Sequence, residues 1–261
     1  MVDGVVVVGN AATSVVVVTD LTEDLKGYVR DHLSHLCYGA SFIDGSPDCY
    51  SFTRTVREFL ERFDKKPDTT KVGMIGELLT HLLAPEVYRD LSTTSLFFNK
   101  EERSIKKGFD LTFYSDDEAG VWYAEVKSGH VQAGHPAEKV IELLRTAASD
   151  LRDKLTAPTR RSLWDAAQID ALAVLGAESS SVRQVLQQDE QAAVDGTTWK
   201  RLAVLVATVF HPISTAMIEH SDILVRLGTE SFNSSFDGVR LVAIQKSTLD
   251  KVVAFLREEV E

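Results

Sequence analysis

Cysteine is almost absent from this chain: Cys37 and Cys49 are the only two among 261 residues. Two cysteines do not make a disulfide framework, so free thiols and cytoplasmic residence are the expectation. With no Cys-x-x-Cys and no paired-histidine motif, a structural zinc is not expected either. Long apolar runs are also missing. The longest, Leu202 to Phe210, has the length of a strand and falls far short of the roughly 20 residues that span a bilayer, so no membrane partner is expected. The opening residues Met1-Val2-Asp3 lack the basic region and cleavage site of a signal peptide. Positive charge is scarce, with 28 Lys and Arg against 39 Asp and Glu and a net charge of −11. That balance argues against binding nucleic acid by bulk electrostatics alone, because affinity for phosphate comes largely from Lys and Arg. It does not exclude a nuclease whose partner holds the DNA. The loop Gly9-Asn10-Ala11-Ala12-Thr13-Ser14 has neither the G-x-G-x-x-G spacing nor the lysine of a phosphate-binding loop. There is no tandem repeat and no low-complexity tail.

What is present is an ordinary globular balance, 44% hydrophobic and 26% charged, in a chain long enough to bury a substantial core. Residues 5–8 and 15–18 are valine runs flanking a small polar loop and read as a hairpin or a buried strand pair. Asp20 to Glu23 opens a helix running to about Cys37. Phe42 to Asp48 reads as loop, and Ser51 to Arg62 as a helix with Phe52, Val56, Phe59 and Leu60 on one stripe. Apolar residues at 72, 75, 78, 79 and 82 predict another helix, ended by Pro85 and carrying Glu77 beside Gly76. A glycine inside a helix costs about 1 kcal/mol against alanine, and close approach of the helix to a sheet would account for it. The alternative for Glu77 is a surface glutamate on an amphipathic helix. Further on, strands are expected near Ser95–Phe98, over 201–210 and over 239–245. Helices are expected over 135–155, 162–190, 212–220 and 249–260.

Chemistry concentrates in Gly108-Phe109-Asp110 and Glu125-Val126-Lys127. Phe109–Tyr114 and Val121–Lys127 read as two strands joined by the polar segment 115–120. Folding this hairpin about the middle of its loop sets Asp110 opposite Glu125, with Cβ atoms roughly 4.5–5.5 Å apart. Glu125 and Lys127, two residues apart, then point to the same side. Phe109, Leu111 and Phe113 are expected to share the other side with Trp122, Ala124 and Val126. Opposed carboxylates destabilise a strand pair unless something positive lies between them, and a hard divalent cation takes oxygen ligands. The ammonium of Lys127 beside it can orient or deprotonate a water, or stabilise charge developing on a phosphorus centre. The plainer alternative is a solvated hairpin with ordinary charges on its outer face, since Glu-x-Lys is a common tripeptide. Two basic runs, 103–107 and Arg152-Asp153-Lys154 followed by Arg160-Arg161, are either solvated surface or phosphate contacts; His130 and His135 pose the same choice.

The order of these parts, Glu77 on a helix, Asp110 on a strand, Glu125-x-Lys127 on the next and then a helix, resembles the PD-(D/E)XK nuclease core over roughly residues 71–210. Phe109 stands where the literal motif has proline. The combination of Gly76-Glu77-Leu78-Leu79, Lys107-Gly108-Phe109-Asp110 and Trp122-Tyr123-Ala124-Glu125-Val126-Lys127 is similar to HamA, the nuclease subunit family of the Hachiman antiphage defence system. The resemblance implies an α/β fold, a restriction-endonuclease-like central mixed sheet flanked by helices. It places a nuclease-like domain over 71–261 behind an N-terminal extension, 1–70, available for partner docking. It implies hydrolysis of DNA with Mg²⁺ or Mn²⁺ held by Glu77, Asp110 and Glu125, with Lys127 as the fourth catalytic residue, and a HamB-like helicase partner. A stand-alone restriction-type endonuclease and a non-catalytic interaction subunit on the same fold are the alternatives.

Overall fold

A computed structural model describes residues 2–46, 48–98, 108–117, 120–157, 161–228 and 232–261. In chain order these form β1 (Val5–Gly9), β2 (Thr13–Val18), α1 (Glu23–Tyr38), α2 (Ala40–Ile43), α3 (Phe52–Asp64), α4 (Asp68–Val87), β3 (Ser92–Thr93), β4 (Leu111–Ser115), β5 (Gly120–His130), α5 (Pro136–Thr156), α6 (Arg161–Leu175), α7 (Ser180–Asp195), β6 (Leu202–Phe210), α8 (His220–Leu227), β7 (Gly238–Lys246) and α9 (Asp250–Glu258). The strands make one mixed sheet in the order β1-β2-β7-β6-β5-β4-β3. Its centre, β2-β7-β6-β5, is parallel, while β1, β4 and β3 join antiparallel.

Helices cover both faces, which is why β6, apolar but for Thr208, is buried at every position. On one face α1, α3, α4 and α9 pack against Trp122, Ala124 and Val126 of β5 and Val204 and Val206 of β6. On the other, α5, α6, α7 and α8 pack against Tyr123 and against Leu205 and Ala207. The first 70 residues enter this same architecture. Their β2 pairs with β7 over its whole length, Thr13 with Leu241 through Val18 with Lys246, and Leu33, Val56 and Phe59 join the core that holds α4.

Local chemistry sets the boundaries. Thr22 caps α1 by accepting from the Leu25 amide, and His135 caps α5 by accepting from the Ala137 amide, with Pro136 in the first turn. Gly76 lies where α4 comes closest to the sheet, as a glycine inside a helix predicts. A Cβ there would lie 1.9 Å from Ser128 Oγ and 3.2 Å from Thr208 Cβ.

Five local expectations are corrected. Helix α4 runs through Pro85 to Val87; in the last turn the proline forfeits one hydrogen bond, and Tyr88 still donates to the Ala84 carbonyl. Residues 95–98 are not a strand: Phe97 gives its amide to Leu36 at the end of α1, Leu96 gives its own to Asp170, and strand pairing is confined to Ser92–Thr93. The helix expected over 212–220 begins only at His220, because the Ile218 amide and the Ala216 carbonyl are taken by the side chain of Gln245. The long helix over 162–190 is broken after Leu175, where Gly176 turns at φ +57°. The segment read as loop after Phe42 opens instead with the short helix α2. The basic run 103–107, Glu118 and Ala119 of the hairpin loop, and Arg160 lie outside the described residues.

Candidate active site

The hairpin forms with the expected register: Leu111 faces Ala124 and Phe113 faces Trp122. Continued by one residue, that register sets Asp110 against Glu125. At this point β4 ends, and β5 continues to His130 paired with β6. The Val126 amide is taken by the carboxylate of Asp110, Oδ2 accepting at 2.8 Å. Where the two strands diverge, the Asp110 carboxylate turns in to the strand partner's backbone. Phe109 does not share the face of Leu111 and Phe113. Its ring lies 4.7 Å from that of Tyr123, tilted by 51°, and meets Trp164 edge-on at 5.3 Å, because the chain leaves the strand before Leu111 and the alternation stops there.

Glu125 is 2% exposed, so the solvated-hairpin alternative is overturned. Its burial is compensated by two ammonium groups. Lys127 Nζ donates to Glu125 Oε1 at 2.8 Å and lies 2.7 Å from Asp150 Oδ2. Lys154 Nζ lies 2.5 Å from Glu125 Oε2 and 3.6 Å from Asp110 Oδ1. Burial, and next the neighbouring Asp110, push the Glu125 carboxyl above the usual carboxylate range, and the two lysines pull back against them. For Lys127 burial acts to lower the pKa, but Glu125, Asp150 and Asp110 outweigh it and hold the ammonium above the ordinary lysine value. The Lys127 ammonium is thereby held between Glu125 and Asp150, a positive charge fixed beside the paired carboxylates.

Lys154, read from the sequence only as part of a basic run that is either solvated surface or a phosphate contact, is instead mostly buried against Asp110 and Glu125, and Asp150 is no candidate from the sequence. Asp150 and Lys154 are four apart on α5, so they project from the same side, next to the buried row Ala147, Leu151 and Leu155. An acid and a base at that spacing bordering an apolar stripe was the signal available in the sequence. What they face depends on how α5 crosses β5.

Glu77 is placed differently. Its helix packs on the sheet face of Val126, opposite the face covered by α5. Its Oε1 lies 4.0 Å from Nε2 of the fully buried His81. Among the described residues no three His, Cys, Asp or Glu side chains stand together as a metal-holding group. The structure therefore brings Asp110, Glu125 and Lys127 together and does not gather Glu77 with the two carboxylates as a three-acid cage. His135 serves as a helix cap, and His130 is exposed at the end of β5, with Phe210 at 5.6 Å.

The paired carboxylates supply oxygen donors, the chemistry that hard divalent cations take, and Mg²⁺ is commonly bound through only one or two carboxylates plus water and substrate phosphate. The Lys154 ammonium beside both carboxylates demonstrates that a positive charge is accommodated there. The residues present fit such an ion. No described helix is long and apolar enough to cross a membrane.

A search of curated proteins returns no match. Residues 14–223 match the family model HamA, a span that takes in all of β2 but Thr13, the whole Asp110–Glu125–Lys127 constellation and α5 with its two further charges, and on that match the chain belongs to the HamA family.

Proposed function

We propose that this HamA-family chain is a metal-dependent deoxyribonuclease, the effector subunit of a Hachiman antiphage defence complex. The observation that carries the reading is the pair of facing carboxylates, Asp110 and Glu125, with Lys127 alongside, at the point where β4 leaves β5. A bound Mg²⁺ or Mn²⁺ supplies Lewis acidity and charge neutralisation at the scissile phosphate. Asp110 and Glu125 would hold that ion. Glu77, on the other sheet face, is left with a water-mediated role. Lys127 is anchored by Glu125 and Asp150, which fixes its ammonium beside the carboxylates, where it stabilises the charge that builds on a phosphate oxygen.

The net charge of −11 supports a division of labour in which a helicase partner, HamB-like, grips the DNA backbone. The first 70 residues are available to dock that partner. Lys127→Ala is the test: the variant keeps its fold by circular dichroism and loses Mg²⁺-dependent degradation of a plasmid, assayed with and without the proposed HamB-like helicase. Full cleavage by Lys127→Ala rejects the assignment. Discrete sequence-specific cuts by the wild-type chain alone indicate a stand-alone restriction-type enzyme. No cleavage under either condition indicates a non-catalytic subunit.

A further inference from the structure

We propose that Lys154 is a resident counter-ion of this site, holding the place between Asp110 and Glu125 that a divalent cation takes and vacating it when the cation arrives. The inference rests on the metal-dependent reading above and adds a built-in competitor to it.

The two lysines of the site are anchored differently. Lys127 is held by Glu125 on one side and by Asp150, outside the carboxylate pair, on the other. Lys154 contacts the two proposed ligands themselves, Asp110 Oδ1 at 3.6 Å and Glu125 Oε2 at 2.5 Å. Glu125 is 2% exposed and Asp110 has a side chain 17% exposed. Two such carboxylates cannot stay ionised side by side without a positive charge between them. Before a metal binds, Lys127 offsets Glu125 from one side and Lys154 is the charge paired with both carboxylates.

It is also suited to leaving. Its ammonium is a point charge on a flexible four-carbon stem, without the fixed fork of an arginine. It projects from the last turn of α5, which ends at Thr156, so the side chain can swing out while the helix stays in place. Asp150, one turn earlier and with a side chain 48% exposed, offers a carboxylate at the helical i,i+4 spacing to receive it. Cation binding is then an exchange of one positive charge for another, and its affinity is lowered by the competition. Lys127, tied at both ends, does not move in this exchange.

Mn²⁺ binding to the full chain, followed by calorimetry and by electron paramagnetic resonance of the free ion, tests this without any nuclease assay. Lys154→Met is expected to bind Mn²⁺ about tenfold more tightly than the wild type, or more, the lower end of the effect of one nearby charge. Mn²⁺ is also expected to raise the melting temperature of Lys154→Met more than that of the wild type. Binding by Lys154→Met that is equal to or weaker than wild type overturns the proposal while leaving the metal-dependent reading intact. Absence of Mn²⁺ binding by both proteins, folded and at millimolar ion, removes that reading and the proposal with it. Should Lys154→Met not fold in chelator, Lys154→Gln carries the comparison. Folding of either variant only on adding Mn²⁺ supports the exchange, and failure of both to fold with or without Mn²⁺ overturns it.

Discussion

Gly76→Ala sets helix propensity against packing, and the structure decides which wins. On propensity alone the substitution stabilises α4 by about 1 kcal/mol. The added Cβ, however, lands 1.9 Å from Ser128 Oγ, 2.8 Å from Ser128 Cβ and 3.2 Å from Thr208 Cβ. Rotation of the serine hydroxyl relieves the first contact but not the second, which belongs to a side-chain root fixed on β5. Helix and strand must move apart, and the separation is felt by Leu78, Leu79 and Val126 in the same core. Overpacking of this kind costs typically 1–3 kcal/mol, so the net loss is about 1–2 kcal/mol at the upper part of that range. For a domain of this size the melting temperature should fall by ~2–8 °C. Ser128 Oγ is buried and has no hydrogen-bond partner among the described residues, so Ser128→Ala alone should be neutral or slightly stabilising. In the double variant Ser128→Ala should recover part of the loss, a coupling that a thermodynamic cycle measures. Chemical denaturation of the four proteins is the assay. A Gly76→Ala variant more stable than wild type by the full propensity gain, with no coupling to Ser128, refutes the close approach.

Other perturbations probe separate parts of the molecule. Asp189 accepts from the Tyr123 hydroxyl at 2.6 Å, and burial, opposed by that hydrogen bond, pushes its carboxyl up to about 7. A folded-state pKa above the unfolded value means that stability is full below pH ~4 and is lost as pH rises to ~7, by at most about 4 kcal/mol. Asp189→Asn should therefore gain stability relative to wild type across that window and hold the gain above it, read from urea midpoints at a series of pH values. Parallel profiles for the two proteins would refute it. Arg240 is 8% exposed, pairs with both oxygens of Asp90 and lies over the rings of Trp122 at 4.4 Å and Tyr88 at 5.2 Å. Arg240→Met should cost ~1–3 kcal/mol in the same assay, moderated because Asp90 is half solvated, and an unchanged midpoint would show the pin to be idle.

Much of the site could be read before the fold was known, because the information was local. The pairing of Asp110 with Glu125 follows from counting residues across one hairpin, and β6 announces itself by the run Leu202–Phe210, apolar but for Thr208. The close approach at Gly76 was legible from the cost of glycine in a helix interior. Lys154 and Asp150 were opaque for the opposite reason: their partners lie on a strand more than twenty residues away, and only the crossing of α5 over β5 joins them. The same holds for Glu77, whose face of the sheet is set by the packing of α4 rather than by its own neighbours. The segment 95–98 misled because Phe97 and Phe98 have strand-like composition, whereas the amide of Phe97 is spent on the end of α1, a contact no periodicity announces. Phe109 misled because alternation was carried one residue beyond the end of the strand.

The place of β2 in the sheet has a consequence for how the protein is made. Its valines pair with β7, at the far end of the sequence. Synthesis makes the β1–β2 hairpin long before β7, and until β7 emerges this apolar ribbon has no neighbour on its inner side. Completion of the parallel centre must wait for β7, and contacts of such long separation form slowly. Removing β7 would therefore damage β2, far from it in sequence, and leave its valines as a sticky edge.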